Sequence, residues 1–171
     1  MRLIFGEDYA MNTIEGFLGQ FSLTYIANLR KEKVITMLKI FDKKYYYNGE
    51  KNELPCGIDP MPGMVIKSTG NERNILGFDA KEYSLDLSGN QQILIYSTDQ
   101  IPVVSPNRAT PYRNIEEVLL QFYTRLSVLD MILVAEDFRE EEISTGIFMV
   151  PEGYSEISRI QMEKTISELF R

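Results

Sequence analysis

Apolar and polar residues alternate along much of this chain, and the alternation predicts strands. Phe17, Phe21, Leu23, Tyr25 and Ala27 share one parity, the period of a strand with one buried face. The polar stretch 28–33 makes a turn, and 34–41 is a second strong β run. Asp42-Lys43-Lys44 interrupts it before Tyr45-Tyr46-Tyr47 continues, and Asn48-Gly49 is a hairpin turn signal. Three prolines within 55–62 forbid a helix or a central strand there, so 49–63 reads as a long ordered loop. Further strands are expected at 64–67, at 74–87 with a bend at Gly77, at 92–97 and at 143–150. Ser88-Gly89-Asn90 reads as a turn, and 101–107, with two prolines, as an extended edge or loop. The stretches 118–128 and 131–138 fit either a helix face or alternation. One helix is expected, over 155–170, with Ser155 as N-cap and Met162, Ile166, Leu169 and Phe170 on one face.

Many strands in series before one late helix exclude an alternating βαβ plan. The expected fold is mainly β (α+β): a single curved antiparallel sheet or half-barrel with a C-terminal helix, in one domain over 1–171.

Composition narrows the chemistry. Among 171 residues there is no His, one Cys and no Trp, and the net charge is -7. A triad or dyad that needs imidazole is excluded, and so is a Cys-rich zinc site. The acidic balance argues against a nucleic-acid partner. No apolar run approaches the ~18 residues of a membrane helix, so a membrane-spanning chain is not expected. Residues 1–8 carry one basic residue and then turn acidic, without the apolar stretch of a secretory leader. Two compartments stay open: the cytoplasm, or the cell envelope after removal of a leader.

From residue 64 onward, three phrases occur in order. Thr69 to Tyr83 holds a polar hairpin signal and then Ile75-Leu76-Gly77-Phe78, with Tyr83 five residues after Phe78. Ile95-Tyr96-Ser97-Thr98-Asp99-Gln100-Ile101 follows, and then Phe148-Met149-Val150-Pro151-Glu152-Gly153-Tyr154. Together they resemble the LolA-like superfamily of bacterial envelope proteins, closest to the GLPGLI-type secreted proteins. The chain departs from that pattern at Ala80-Lys81, where a Cys often stands. The resemblance covers about 64–154. It implies strands for 118–138, a half-barrel around a helix or loop plug, a periplasmic or envelope location, and carriage of an acyl chain in an apolar cavity.

Several residue groups invite chemistry, and each has a plainer explanation. Glu136-Asp137 and Glu140-Glu141-Glu142 lack calcium-loop spacing and read as a solvated, charge-protected edge. Asp42, Glu72, Asp79, Glu82 and Asp86 could pair as acid and base, but chance pairs are certain among 25 acidic residues. Cys56, between Pro55 and Gly57, reads as a loop cysteine without a base. Tyr45 and Tyr47 share a strand face suited to a cavity wall or to cross-strand packing. Eight Met residues suit an irregular apolar space or an ordinary core. No glycine-rich phosphate loop occurs.

The expectation is therefore a non-enzymatic binding or carrier domain, with no catalytic residue, metal or cofactor. Its partner would be an acyl chain, lipid or lipoprotein segment, and its oligomeric state stays open. The residues expected to line the cavity are Leu23, Tyr25, Met37, Ile40, Tyr45, Tyr47, Tyr96, Phe122 and Phe148. The alternative is an interaction or structural domain with a solid core.

Overall fold

The structure is a computed structural model describing residues 1–87 and 92–170. The turn expected at Ser88-Gly89-Asn90 lies outside the described residues. The chain is mainly β with one C-terminal helix, as expected, and its strands sort into two sheets.

The first sheet is built from β1 (Arg2–Phe5), β2 (Tyr9–Gly16), β3 (Phe21–Asn28), β4 (Lys33–Ile40) and β5 (Lys43–Asn48), paired antiparallel in chain order. The second holds β6 (Val65–Ile75), β7 (Phe78–Asp86), β8 (Gln92–Thr98), β9 (Val118–Leu126) and β10 (Leu129–Val134). The two-residue β11 (Ser155–Glu156) then returns to the first sheet and pairs parallel with Tyr45 and Tyr46 of β5. Of the strands at 118–138 that the resemblance implied, 118–134 form the hairpin β9–β10, and 135–138 lie outside any strand.

Several local expectations are corrected. The break at 42–44 is a chain reversal: Ile40 pairs with Lys43, and Phe41 takes a left-handed backbone in the turn. Asn48-Gly49 turns no hairpin, because the proline-rich segment after it forms no strand against β5 and bridges β9 at Ile58–Leu126. Instead the Gly49 N–H donates to the Val34 carbonyl at 2.9 Å and the chain enters the loop. The polar hairpin expected near 69–73 is continuous strand in β6, with a register shift between Ser68 and Glu72. The reversal falls at Leu76-Gly77, where φ values of 55° and 89° suit a tight two-residue turn. Gly77 is therefore a hairpin turn, where the sequence suggested a bend within one strand.

The segment expected as a strand at 143–150 is a strap containing a 3-10 turn, Thr145–Phe148, capped by Ser144. It pairs with no strand because its Phe148 ring is needed against the outer face of the first sheet. There it packs with Ile26 and Met37 and stacks on Tyr9 with centroids 5.2 Å apart. As a result β3 and β4 are buried on both faces, which blurs their alternation.

The helix α1 (Arg159–Leu169) starts later than expected. Ser158 is its N-cap and forms a capping box with Gln161, whereas Ser155 belongs to β11. Met162 and Ile166 are fully buried on the inner face of the first sheet, in one cluster with Leu23, Leu38 and Leu126. The helix thus plugs part of the space between the sheets. Gly57 lets it seat: a Cβ there would lie 2.9 Å from Ile166 Cγ2 and 3.0 Å from Leu126 Cδ1. Glu163 Oε2 accepts from the Gly57 N–H at 2.9 Å, and Arg159 donates to the Leu54 carbonyl at 3.2 Å. These contacts clip the proline-rich loop to the helix. No described helix is long and apolar enough to cross a membrane.

Candidate functional site

The inner faces of the two sheets do not merge into one core. The first sheet, α1 and Leu126 form one cluster around Leu23 and Leu38. The second sheet forms another around Leu85 and Ile95, completed by Met61, Tyr112 and Ile115 from the loops. Where the two abut, an apolar cleft remains.

One wall is the inner face of β1–β4. Across the strands, Leu3 pairs with Asn12 and Asn12 with Tyr25, forming one row of the wall. The next row runs Phe5, Ala10, Ala27, Val34. Small residues at the centre of that second row leave the room that the cleft occupies. The facing wall is Leu119, Phe122 and Thr124 of β9 with Leu133 of β10, and the floor is Pro55, Ile58, Pro106 and Tyr112. The outline encloses about 870 Å³ when its open side is counted, but only about 90 Å³ admits a water-sized guest between the walls. β1 and β10, which contribute Leu3, Phe5 and Leu133, are terminal strands of their sheets and carry unpaired edges.

The lining contains no Asp, Glu, Lys or Arg side chain. Its phenols present rings, because their hydroxyls are committed elsewhere. Tyr25 donates to the Cys56 carbonyl at 2.8 Å, and Tyr112 to the Tyr123 carbonyl at 2.6 Å. Burial raises both phenols above their ordinary range. The Asn107 amide donates to the Ile115 and Glu117 carbonyls at 2.7 and 2.8 Å. Asn12 differs. Its Oδ1 is buried without a hydrogen-bond partner, the one such side-chain atom among the described residues.

The nine residues expected to line a cavity separate into groups. Tyr25 and Phe122 line the cleft. Leu23, Ile40, Tyr45 and Tyr47 share the inner face with Tyr25 but lie beyond the cleft, towards α1. Of these, Ile40 and Tyr45 border an open groove of about 530 Å³ against Gln161, Thr165 and Glu168, a trough edged by charge. Tyr47 donates to Glu53 at 2.8 Å. Met37 and Phe148 meet on the opposite, outer face of the sheet. Tyr96 packs with Ile75, Ala80 and Leu120, under the Arg73 guanidinium 3.8 Å from its ring centre. Asn12 was missed, although its parity with Ala10 and Ile14 marks an amide on an apolar strand face.

The polar clusters stand apart from the cleft. Lys81 reaches Asp99 at 2.8 Å and Glu117 at 2.7 Å, and Glu117 also accepts from Ser97 and from Tyr83. Burial works against the Glu117 carboxylate, but these hydrogen bonds hold it below its ordinary value. Ser97 is fully buried, and its hydroxyl ties β8 to the segment before β9 through Glu117. Cys56 is fully buried as well, and burial pushes its thiol up to about 11. Among the described residues, no three carboxylates or thiols converge as a metal site would require. The sequence matches no family model, and no curated protein matches it.

Proposed function

We propose that this chain is a non-enzymatic binding domain that takes the end of an apolar or acyl chain into the cleft between its sheets. The observation that carries this is an apolar-walled cleft without acidic or basic side chains, open beside the edge strands β1 and β10. Transfer of apolar surface from water contributes roughly 25 cal/mol per Å². The three LolA-like phrases extend the proposal to a carrier of a lipid or lipoprotein segment in the periplasm or cell envelope. That extension rests on the phrases alone.

The small volume favours a second role. About 90 Å³ is under a third of the ~300 Å³ at which small-molecule pockets begin. A domain of that kind would bind a protein partner through the β1 or β10 edge and leave its core closed. Thermal shifts across a graded series of neutral acyl amides separate the two roles. A rising melting temperature that reaches a plateau with chain length supports ligand binding. A flat response over the whole series refutes it.

A further inference from the structure

We infer that the ligand of this cleft carries a neutral hydrogen-bonding head, an amide or hydroxyl, that pairs with the Asn12 carboxamide, and that the cleft discriminates against free carboxylates. This rests on the binding role proposed above and specifies its ligand.

Asn12 sits at the middle of the apolar wall, between Leu3 and Tyr25 on neighbouring strands. A buried polar atom without a partner costs about 1–3 kcal/mol. Neither neighbour on its row supplies the partner: Leu3 has no polar group, and the Tyr25 hydroxyl already donates to the Cys56 carbonyl. The carboxamide has both a donor and an acceptor end, so an amide or hydroxyl of a guest complements it in either orientation. The other polar side chains of the wall that donate, Tyr25, Tyr112, Asn107 and Thr110, do so to backbone carbonyls.

A carboxylate finds no Lys or Arg side chain in the lining of the cleft. Desolvating an unpaired anion there is strongly unfavourable. The row Phe5, Ala10, Ala27, Val34 runs beside Asn12 on the same face and is wholly apolar, so it accepts the chain while Asn12 holds the head.

The test uses four probes of equal chain length with the full chain at pH 7: hexanamide, 1-hexanol, hexanoate and n-hexane. Binding is followed by NMR, including the side-chain amide signal of Asn12. The expected result is that hexanamide and 1-hexanol bind more tightly than n-hexane and shift the Asn12 signal, while hexanoate binds at least about tenfold more weakly than hexanamide. In Asn12→Leu, whose side chain is of similar size and apolar, hexanamide should lose about tenfold and n-hexane should bind as well or better. Asn12→Gln, which keeps the carboxamide, should retain part of the preference for hexanamide. If hexanoate matches hexanamide, or Asn12→Leu leaves the order of the probes unchanged, the polar anchor is refuted while the apolar cleft stands. If none of the four probes binds, the cleft itself is refuted as a ligand site, and the anchor with it.

Discussion

Asn12 and Tyr25 face each other across β2 and β3, yet Tyr25 donates its hydroxyl to the Cys56 carbonyl and leaves the Asn12 oxygen without a partner. The same hydrogen bond anchors the proline-rich loop to the sheet. One side chain thus closes the floor of the cleft and leaves a buried polar atom of its wall without a partner.

Removing that orphan should stabilise the free protein. Asn12→Leu relieves a buried unpaired acceptor and adds apolar contact with Leu3 and Tyr25, so the unfolding free energy should rise by about 1 kcal/mol. Urea denaturation of the two proteins measures it. A loss of stability would mean that Asn12 is already satisfied in solution.

Filling the cleft should abolish binding without adding charge. Ala27 lies at its centre, paired with Ala10 and Val34. Ala27→Leu places a larger side chain in the space and should cost about 1–3 kcal/mol through overpacking. Titration with hexanamide should show no saturable binding while circular dichroism keeps its β signature. Undiminished affinity would place the ligand elsewhere.

The Cys56 thiol should be inert in the native state. Its side chain is fully buried and burial raises it to about 11, so at pH 8 both access and thiolate fraction are low. Reaction with a thiol reagent should proceed only as fast as the protein opens, and at once in denaturant. Because the folded value is raised, stability should be full below the unfolded value of ~8.5 and decline as the pH climbs towards the folded one. Rapid stoichiometric labelling of native protein would contradict the burial of this loop.

Acid should loosen the second sheet. Hydrogen bonds hold Glu117, Glu82 and Asp99 below their ordinary values. Their contribution is therefore present above the unfolded values near ~4 and is lost as the pH falls through the folded ones. Lys81 is raised, chiefly by its hydrogen bond to Asp99, so its share persists to high pH. Glu117→Gln should flatten the acid limb of a stability–pH curve, and an unchanged limb would remove Glu117 from the cause.

Much of this architecture was legible because one face of each strand is buried. Phe21, Leu23, Tyr25 and Ala27 do lie together on the inner face. The parts that were not legible have physical causes. Ile26 and Met37 are buried on the other face because the 3-10 strap brings Phe148 over them, a long-range event that no local pattern records. Asn48-Gly49 has the chemistry of a turn, but a hairpin also needs a second pairing run. Tyr25 and Phe122 face the same cleft from opposite sheets, and no spacing within either strand announces that meeting. Asn12 was readable only as a polar residue on an apolar parity.

The most direct measurement of the central claim exploits the absence of tryptophan from the chain. Phe122→Trp puts a single indole on the wall of the cleft. Binding of a neutral acyl amide between the sheets predicts a saturable change in its emission, shifted to the blue as a guest replaces solvent. An emission spectrum unmoved by every member of the acyl series, from a variant that folds and melts like the parent, would contradict it.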